Sequence, residues 1–191
     1  MNATQVAERE AIERAARGDH AAFGTLVERY QEVAFRAAYL IVRDAQAAED
    51  VAQDAFIRAY RHLGQFRSGE PFRPWLLRIV TNTAINEVRS RQRRAGLLGR
   101  FAAVAELSAG APEVSLADAD ASLLARAINE LPLDDRVVLH LRYFLDLPER
   151  EIAAAIGKPA GTVKSRLHRA SRRLRELIEA KYPQLAEAIH A

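Results

Sequence analysis

The chain has 191 residues, enough for one ordinary domain or two small ones, with 49% apolar and 28% charged residues and a formal net charge of +3. No stretch approaches the roughly 18 to 20 uninterrupted apolar residues of a membrane helix, and Met1 to Ala22 carries Glu8, Arg9, Glu10, Glu13, Arg14 and Arg17 where a secretory signal needs an apolar run. With no cysteine either, membrane insertion, export, disulfides and thiolate chemistry are not expected, and a cytoplasmic location is.

In chain order, residues 23 to 42 repeat apolar side chains at Phe23, Leu26, Val27, Tyr30, Val33, Ala34, Ala37 and Ile41, one face of a helix. Asp44 can cap a second helix with the stripe Ala48, Val51, Ala52, Ala55, Phe56, Ala59 and Leu63, which Gly64 stops. Gln65 to Arg73 reads as a loop with Gly69, Pro71 and the aromatics Phe66 and Phe72. Pro74 suits the first turn of a third helix carrying Trp75, Leu76, Ile79, Val80, Ala84 and Val88. That helix runs into a basic patch, Arg89 to Arg100, with Arg at 89, 91, 93, 94 and 100 and no acid.

Residues 96 to 121 have weak periodicity and hold Gly99, Gly110 and Pro112, so they read as a flexible linker. The region from Phe101 to Leu124 is acidic, with Glu106, Glu113, Asp118 and Asp120 and no base. Ser122 opens a helix bearing Leu123, Leu124, Ala127, Ile128 and Leu131. Pro132 breaks it, and another helix carries Val137, Val138, Leu141 and Phe144. No alternating strand pattern of useful length occurs, so the fold class expected is all-α, as two small helical domains joined by the linker.

Glu149 to Leu177 is the most informative segment. Pro148 precedes a short helix ending at Ile156, Gly157 supplies a left-handed turn position, and Lys158 and Pro159 lead into a second helix. Val163, Leu167, Ala170, Leu174 and Leu177 form its apolar stripe. Ala153, Gly157 and Val163 stand at the offsets of a helix-turn-helix, whose second helix enters the major groove. Lys158 to Arg175 contains Lys158, Lys164, Arg166, Arg169, Arg172, Arg173 and Arg175 and no acid. Charge alone is compatible with either a solvated helix face or a polyanion contact. Spacing, turn chemistry and charge segregation together favour DNA over a basic helix docked on protein.

In the first half, Phe66, Phe72, Trp75, Asn82 and Asn86 gather near Arg67, Arg73, Arg78 and Arg89. Aromatics stack unpaired bases, amides bond base edges and arginines hold the backbone, the equipment for a single strand or an extruded base. Trp75, at helical spacing from Ile79, reads as core instead. Asn82 reads equally as a plain surface residue. Asp50, Gln53, Asp54 and Ile57 lie along the second helix, as an ordinary solvated face or a partner face. His20, His62, His140, His168 and His190 are scattered without metal-ligand spacing, so neither metal nor other cofactor is expected. No titratable pair stands at a recognisable catalytic spacing, so an enzyme is not expected either.

The stretches AEDVAQDAFIRAYRHLGQF, PFRPWLLRIVTNTAINEVRSRQRR and LPLDDRVVLHLRYFLDLPEREIAAAIGKPAGTVKSRLHRASRRLREL, with Phe23 to Tyr30, resemble the extracytoplasmic-function (group IV) sigma factors of bacterial RNA polymerase. The resemblance implies a region 2 domain over residues 1–95, a region 4 domain over 122–182 and a C-terminal tail at 183–191. It implies that Asp50, Gln53, Asp54 and Ile57 bind core RNA polymerase at the clamp coiled coil. Phe66, Arg67, Phe72, Arg78, Asn82, Asn86 and Arg89 would serve the downstream (-10) element and melting of the single-stranded non-template strand. Thr162, Lys164, Ser165, Arg166, His168 and Arg169 would read the upstream (-35) element in duplex promoter DNA. An anti-sigma factor is implied as a further partner, and the acidic linker would thread along a path built for RNA. Asn86 and Pro148 depart from the family's usual acid and helix-capping Ser or Thr, and His168 occupies a variable position, so no promoter sequence carries over.

Two other classes fit parts of the pattern. A duplex-only regulator would bind promoters without polymerase, and a helical adaptor would bind protein alone. The Arg-rich second helix of the motif disfavours the adaptor.

Overall fold

A computed structural model describes residues 3–67, 69–98 and 119–190, and these hold helices and no strand. The chain forms two compact units, the first drawn mainly from Met1–Gly96 and the second mainly from residues 97–191. The expected linker falls mostly on 99–118, outside the described residues.

The first unit contains α1 (Ala3–Ala16), α2 (His20–Val42), α3 (Ala45–His62), a 3-10 turn (Leu63–Gln65) and α4 (Phe72–Leu98). Helix α1 was not expected from the pattern. It has little apolar surface to advertise itself, and it buries Ile12 and Ala15 as it packs along α2 and the 3-10 turn. Two aspartates set the starts of the next helices: the Asp19 carboxylate accepts from the Ala22 N–H at 3.0 Å, and that of Asp44 from Ala47 at 2.7 Å. Asp19 is held below the ordinary carboxylate range by the Ala22 N–H and by the Arg14 guanidinium, which donates to it.

The core follows the predicted stripes: Leu26, Ala34, Ala37, Ile41, Ala48, Val51, Ala55, Phe56, Ala59 and Leu63 are buried, as are Leu76, Leu77, Val80 and Ala84 of α4. Tyr30 joins three elements. Its hydroxyl donates to Glu8 of α1 at 2.6 Å, and its ring tilts against Phe72 at the start of α4, centroids 5.4 Å apart. Burial, and then Glu8, push the phenol well above its ordinary 10.0. A raised folded-state value means a stabilising contribution present in full below the unfolded value and lost as pH climbs through the folded one. The expected outcome is a loss of stability above about pH 10 that Tyr30→Phe diminishes, read by denaturant unfolding across alkaline pH.

The second unit contains α5 (Ala119–Glu130), α6 (Leu133–Leu139), a π-helical segment (His140–Phe144), α7 (Glu149–Ile156), α8 (Ala160–Lys181) and α9 (Pro183–His190). Helix α5 starts three residues before the expected Ser122. The expected tail is largely helix α9, which opens on Pro183 and buries Leu185 with Ala127 and Ile178, flanked by Leu123, Leu124, Leu174, Leu177 and Tyr182. Glu130 accepts from both the Lys181 ammonium and the Tyr182 hydroxyl, closing this end of the unit.

Candidate nucleic-acid and polymerase interfaces

The α4 helix segregates two kinds of side chain. Phe72, Leu76, Leu77, Val80 and Ala84 are fully buried, whereas Arg78, Asn82, Asn86 and Arg89 are all exposed. Steps of four, four and three residues keep those four within one arc of the helix surface. The amide and guanidinium groups expected near a single strand therefore do share a face.

Above this arc lies an aromatic cluster. Phe66 meets Trp75 edge-on at 5.1 Å and Phe72 edge-on at 5.8 Å, and Phe72 and Trp75 are tilted at 5.4 Å. Phe72 has no accessible surface. Its ring is used on Tyr30, Phe66 and Trp75, so it presents no face to a base, and Phe72 is corrected from a base-contact residue to a core residue. Phe66 and Trp75 are half-buried, each with part of the ring at the surface, and Arg67 is exposed. Glu70 donates its N–H back to the Arg67 carbonyl at 3.1 Å, and Gly69 takes φ +101°, a turn most side chains would strain.

The basic end of α4 is less uniform than its sequence. Arg91 pairs with Glu87 at 2.7 Å and lies 3.9 Å from Asp44, and Arg94 pairs with the same Glu87 at 3.3 Å. Two of the arginines of the basic patch are thus engaged within the protein.

On α3, Asp50, Gln53, Asp54 and Ile57 are all exposed, Ile57 by 45%. Spacings of three, one and three residues place them on one stripe opposite the buried Val51, Ala55 and Ala59. Asp54 also faces Arg58 at 3.7 Å. A groove of about 570 Å³ runs between α3 and α4, with Asp50, Gln53 and Asp54 on one wall and Asn86, Ser90 and Arg93 on the other. Sequence reasoning treated these as two separate sets. The structure joins them through Asn86, a relation that only the helix packing reveals.

The helix-turn-helix forms as expected in its turn and anchor. Gly157 has φ +64°; Lys158 donates to the Ala153 carbonyl at 3.0 Å and Gly157 to Ala154 at 3.4 Å, the paired bonds of a Schellman closure. Ala153 is half-buried and supplies that carbonyl, while the fully buried alanine of α7 is Ala155. Pro148 offers no capping side chain, but its carbonyl accepts from Glu151 and Ile152, and Glu149 and Glu151 place negative charge at the first turn.

Along α8, Val163 and Ala170 are fully buried and Leu167 nearly so. Lys164, Ser165, His168, Arg169 and Arg172 are exposed and Thr162 half-exposed, so these project from the unit. Ser165 donates its hydroxyl to the Thr162 carbonyl at 3.1 Å. Arg166 behaves differently: it lies beside the buried stripe, is 23% exposed at its side chain and pairs with Asp134 of α6 at 3.0 Å. Arg173 is bound in the same way by Asp135, a carboxylate 9% exposed. No local pattern announced these pairings, because the partners are a whole helix-turn-helix apart in sequence.

Among the described residues no helix is long and apolar enough to cross a membrane. Residues 26–94 match the family model of Sigma-70 region 2, and 121–174 match Sigma-70, region 4. The RNA polymerase sigma-H factor of Pseudomonas aeruginosa is 41% identical over 195 residues, covering 97% of this chain and 99% of that one. The ECF RNA polymerase sigma-E factor of Escherichia coli is 38% identical over 192 residues, covering 95% and 97%. Among solved structures, CnrH in complex with the cytosolic domain of CnrY matches with a TM-score of 0.66 at 28% identity, covering 92% of this chain and 99% of that one. The sigma factor RpoE of Bartonella quintana, in complex with the anti-sigma factor NepR, matches with a TM-score of 0.65 at 26% identity, covering 83% and 98%. With near-complete coverage and both regions in order, the chain belongs to the ECF-type sigma factors of the sigma-70 family, which act in promoter recognition and transcription initiation.

Proposed function

We propose that this chain is a group IV sigma factor that works in the cytoplasm by binding alone, making and breaking no covalent bond. Asp50, Gln53, Asp54 and Ile57 dock on the clamp coiled coil of core RNA polymerase. Asn82, with Phe66 and Arg67 beside it, receives a base extruded from the non-template strand, and Arg78, Asn86 and Arg89 hold the flanking backbone. Thr162, Lys164, Ser165, His168 and Arg169 face the upstream element in the major groove, whereas Arg166, paired with Asp134 of α6, is not counted among them. Holding a base that has left the stack lowers the free energy of the opened strand relative to the duplex, and this favours melting.

The observation that supports the reading best is the separation of faces on α4: amide and guanidinium groups along one exposed arc, and Phe72, Leu76, Leu77 and Val80 fully buried along the other. CnrH and RpoE were each solved with a protein bound to them, CnrY and the anti-sigma factor NepR, and an anti-sigma partner is proposed here by that likeness. The acidic linker is proposed to follow the path of RNA in the polymerase.

Asn82→Ala is expected to leave duplex binding by the polymerase holoenzyme intact and to reduce permanganate reactivity of promoter thymines. Arg169→Ala is expected to weaken promoter binding by about 1–3 kcal/mol if it bonds a base edge. A duplex-only regulator predicts the opposite for the first variant, with no change in strand opening, and promoter binding that needs no polymerase.

A further inference from the structure

The two consecutive acids at the start of α6 each take one arginine of α8. Asp134 holds Arg166 at 3.0 Å and Asp135 holds Arg173. Arginines seven residues apart project from nearly the same side of a helix, and this side borders the buried Val163 and Ala170. The exposed arc of Thr162, Ser165 and Arg169 lies next to it. Arg166 therefore stands at the margin between the core and the DNA-facing arc, and its charge is answered by a carboxylate of its own chain. Asp135 is mostly buried and its pair is structural, whereas the Asp134 side chain is 47% exposed. An exposed pair of this kind adds little to stability.

We infer that Asp134 is a positioning residue that keeps the Arg166 guanidinium on α6 and off the phosphate backbone, and so limits sequence-independent binding by the recognition helix. A guanidinium engaged by a carboxylate releases no counterion from DNA, because its charge is already compensated. Once unpinned, it can reach a phosphate of any duplex, whatever the base sequence. The inference rests on the region 4 reading of α8 proposed above.

The test uses holoenzyme assembled from core polymerase and the full chain, with affinity for a promoter duplex and for an unrelated duplex followed across a salt series. Asp134→Asn should tighten binding to both duplexes and steepen the log-log salt slope by about 0.9, which is about a 3.5-fold larger loss of affinity over a fourfold rise in salt. Arg166→Gln should leave the slope at its wild-type value, and the double variant should return to that value. This return is the signature that a merely structural role for Asp134 does not produce. If Arg166→Gln alone flattens the slope by about 0.9, Arg166 already holds a phosphate beside Asp134 and the inference is overturned. An unchanged slope and affinity in Asp134→Asn overturns it as well. Arg169→Ala measured alongside separates the two levels: if it too leaves promoter binding untouched, the region 4 reading has failed, and if it weakens binding while Asp134→Asn does nothing, only the role of Asp134 has. Should Arg166→Gln prove unstable by circular dichroism, Arg166→Met, which also removes the charge while keeping an unbranched apolar stem, replaces it in both the single and the double variant, with the same slopes expected.

Discussion

Phe72→Ala is expected to cost about 3–5 kcal/mol of stability in the first unit, the range for truncating a buried aromatic ring. Phe72 has no accessible surface and contacts Tyr30, Phe66 and Trp75, so its removal leaves a cavity where α2, the loop and the start of α4 converge. For a small domain with a total stability of roughly 5–15 kcal/mol this is a large share, and the variant should show it in denaturant unfolding. Phe72→Leu provides the decisive contrast. An aliphatic side chain of similar bulk keeps much of the packing but offers no ring for stacking. If Phe72 is core, Phe72→Leu holoenzyme opens promoter DNA nearly as well as wild type. A stably folded Phe72→Leu protein that binds polymerase and fails to open DNA would restore Phe72 to the base-contact set.

The second large effect is expected at α3. Replacing both Asp50 and Asp54 by lysine should weaken binding to core polymerase by about 100-fold or more, because a partner face complementary to these acids would then meet like charges, which costs several kcal/mol, and each 1.4 kcal/mol is tenfold. Both acids are exposed, and the pair between Asp54 and Arg58 is exposed on both sides, so little folding stability depends on them. The loss should therefore appear in competition for core enzyme while the circular dichroism spectrum and unfolding midpoint stay close to wild type. Ile57, 45% exposed within the same stripe, should add to the loss when cut to alanine, as apolar anchors amid polar contacts do. Core binding left at wild-type strength by the double charge reversal would remove this stripe from the interface.

Much of the fold was legible because its signals are local. The stripes of α2 and α3 and the middle of α4 repeat at helical period over several turns, and Asp44, Gly157 and Pro159 mark boundaries by backbone chemistry that needs no distant partner. The exposed arc of Arg78, Asn82, Asn86 and Arg89 followed from the same periodicity, being what remains once the buried face is assigned. Other features depend on contacts between segments distant in sequence. Phe72 sits among Gly69, Pro71 and charged residues, a context that reads as an open loop, and Tyr30 from α2 closes over it together with Phe66 and Trp75. Arg166 looks identical to its exposed neighbours in the sequence, and Asp134 on α6 makes it different. Among the described side chains, helices α1 and α9 bury few, Ile12 and Ala15 in one and Leu185 in the other, too few for a pattern to stand out from charged surroundings. For α9 one signal was present: Pro183 followed by Leu185 and Ala186 is a reasonable first helical turn.

The residue roles derive from one arrangement repeated in two units, a buried apolar face opposite an exposed face of amides, cations or acids. The division of labour proposed from it is that α8 meets paired DNA, α4 meets an unpaired base, and α3 attaches both to the polymerase. The measurement that bears on this most directly is run-off transcription by core polymerase on a library of genomic fragments, with and without the full chain. The account predicts transcripts that require the chain, begin at discrete sites sharing two sequence elements at a fixed separation, and diminish with either Asn82→Ala or Arg169→Ala. Transcription that core polymerase performs equally well alone, or no initiation from any fragment when the chain is supplied, would contradict it.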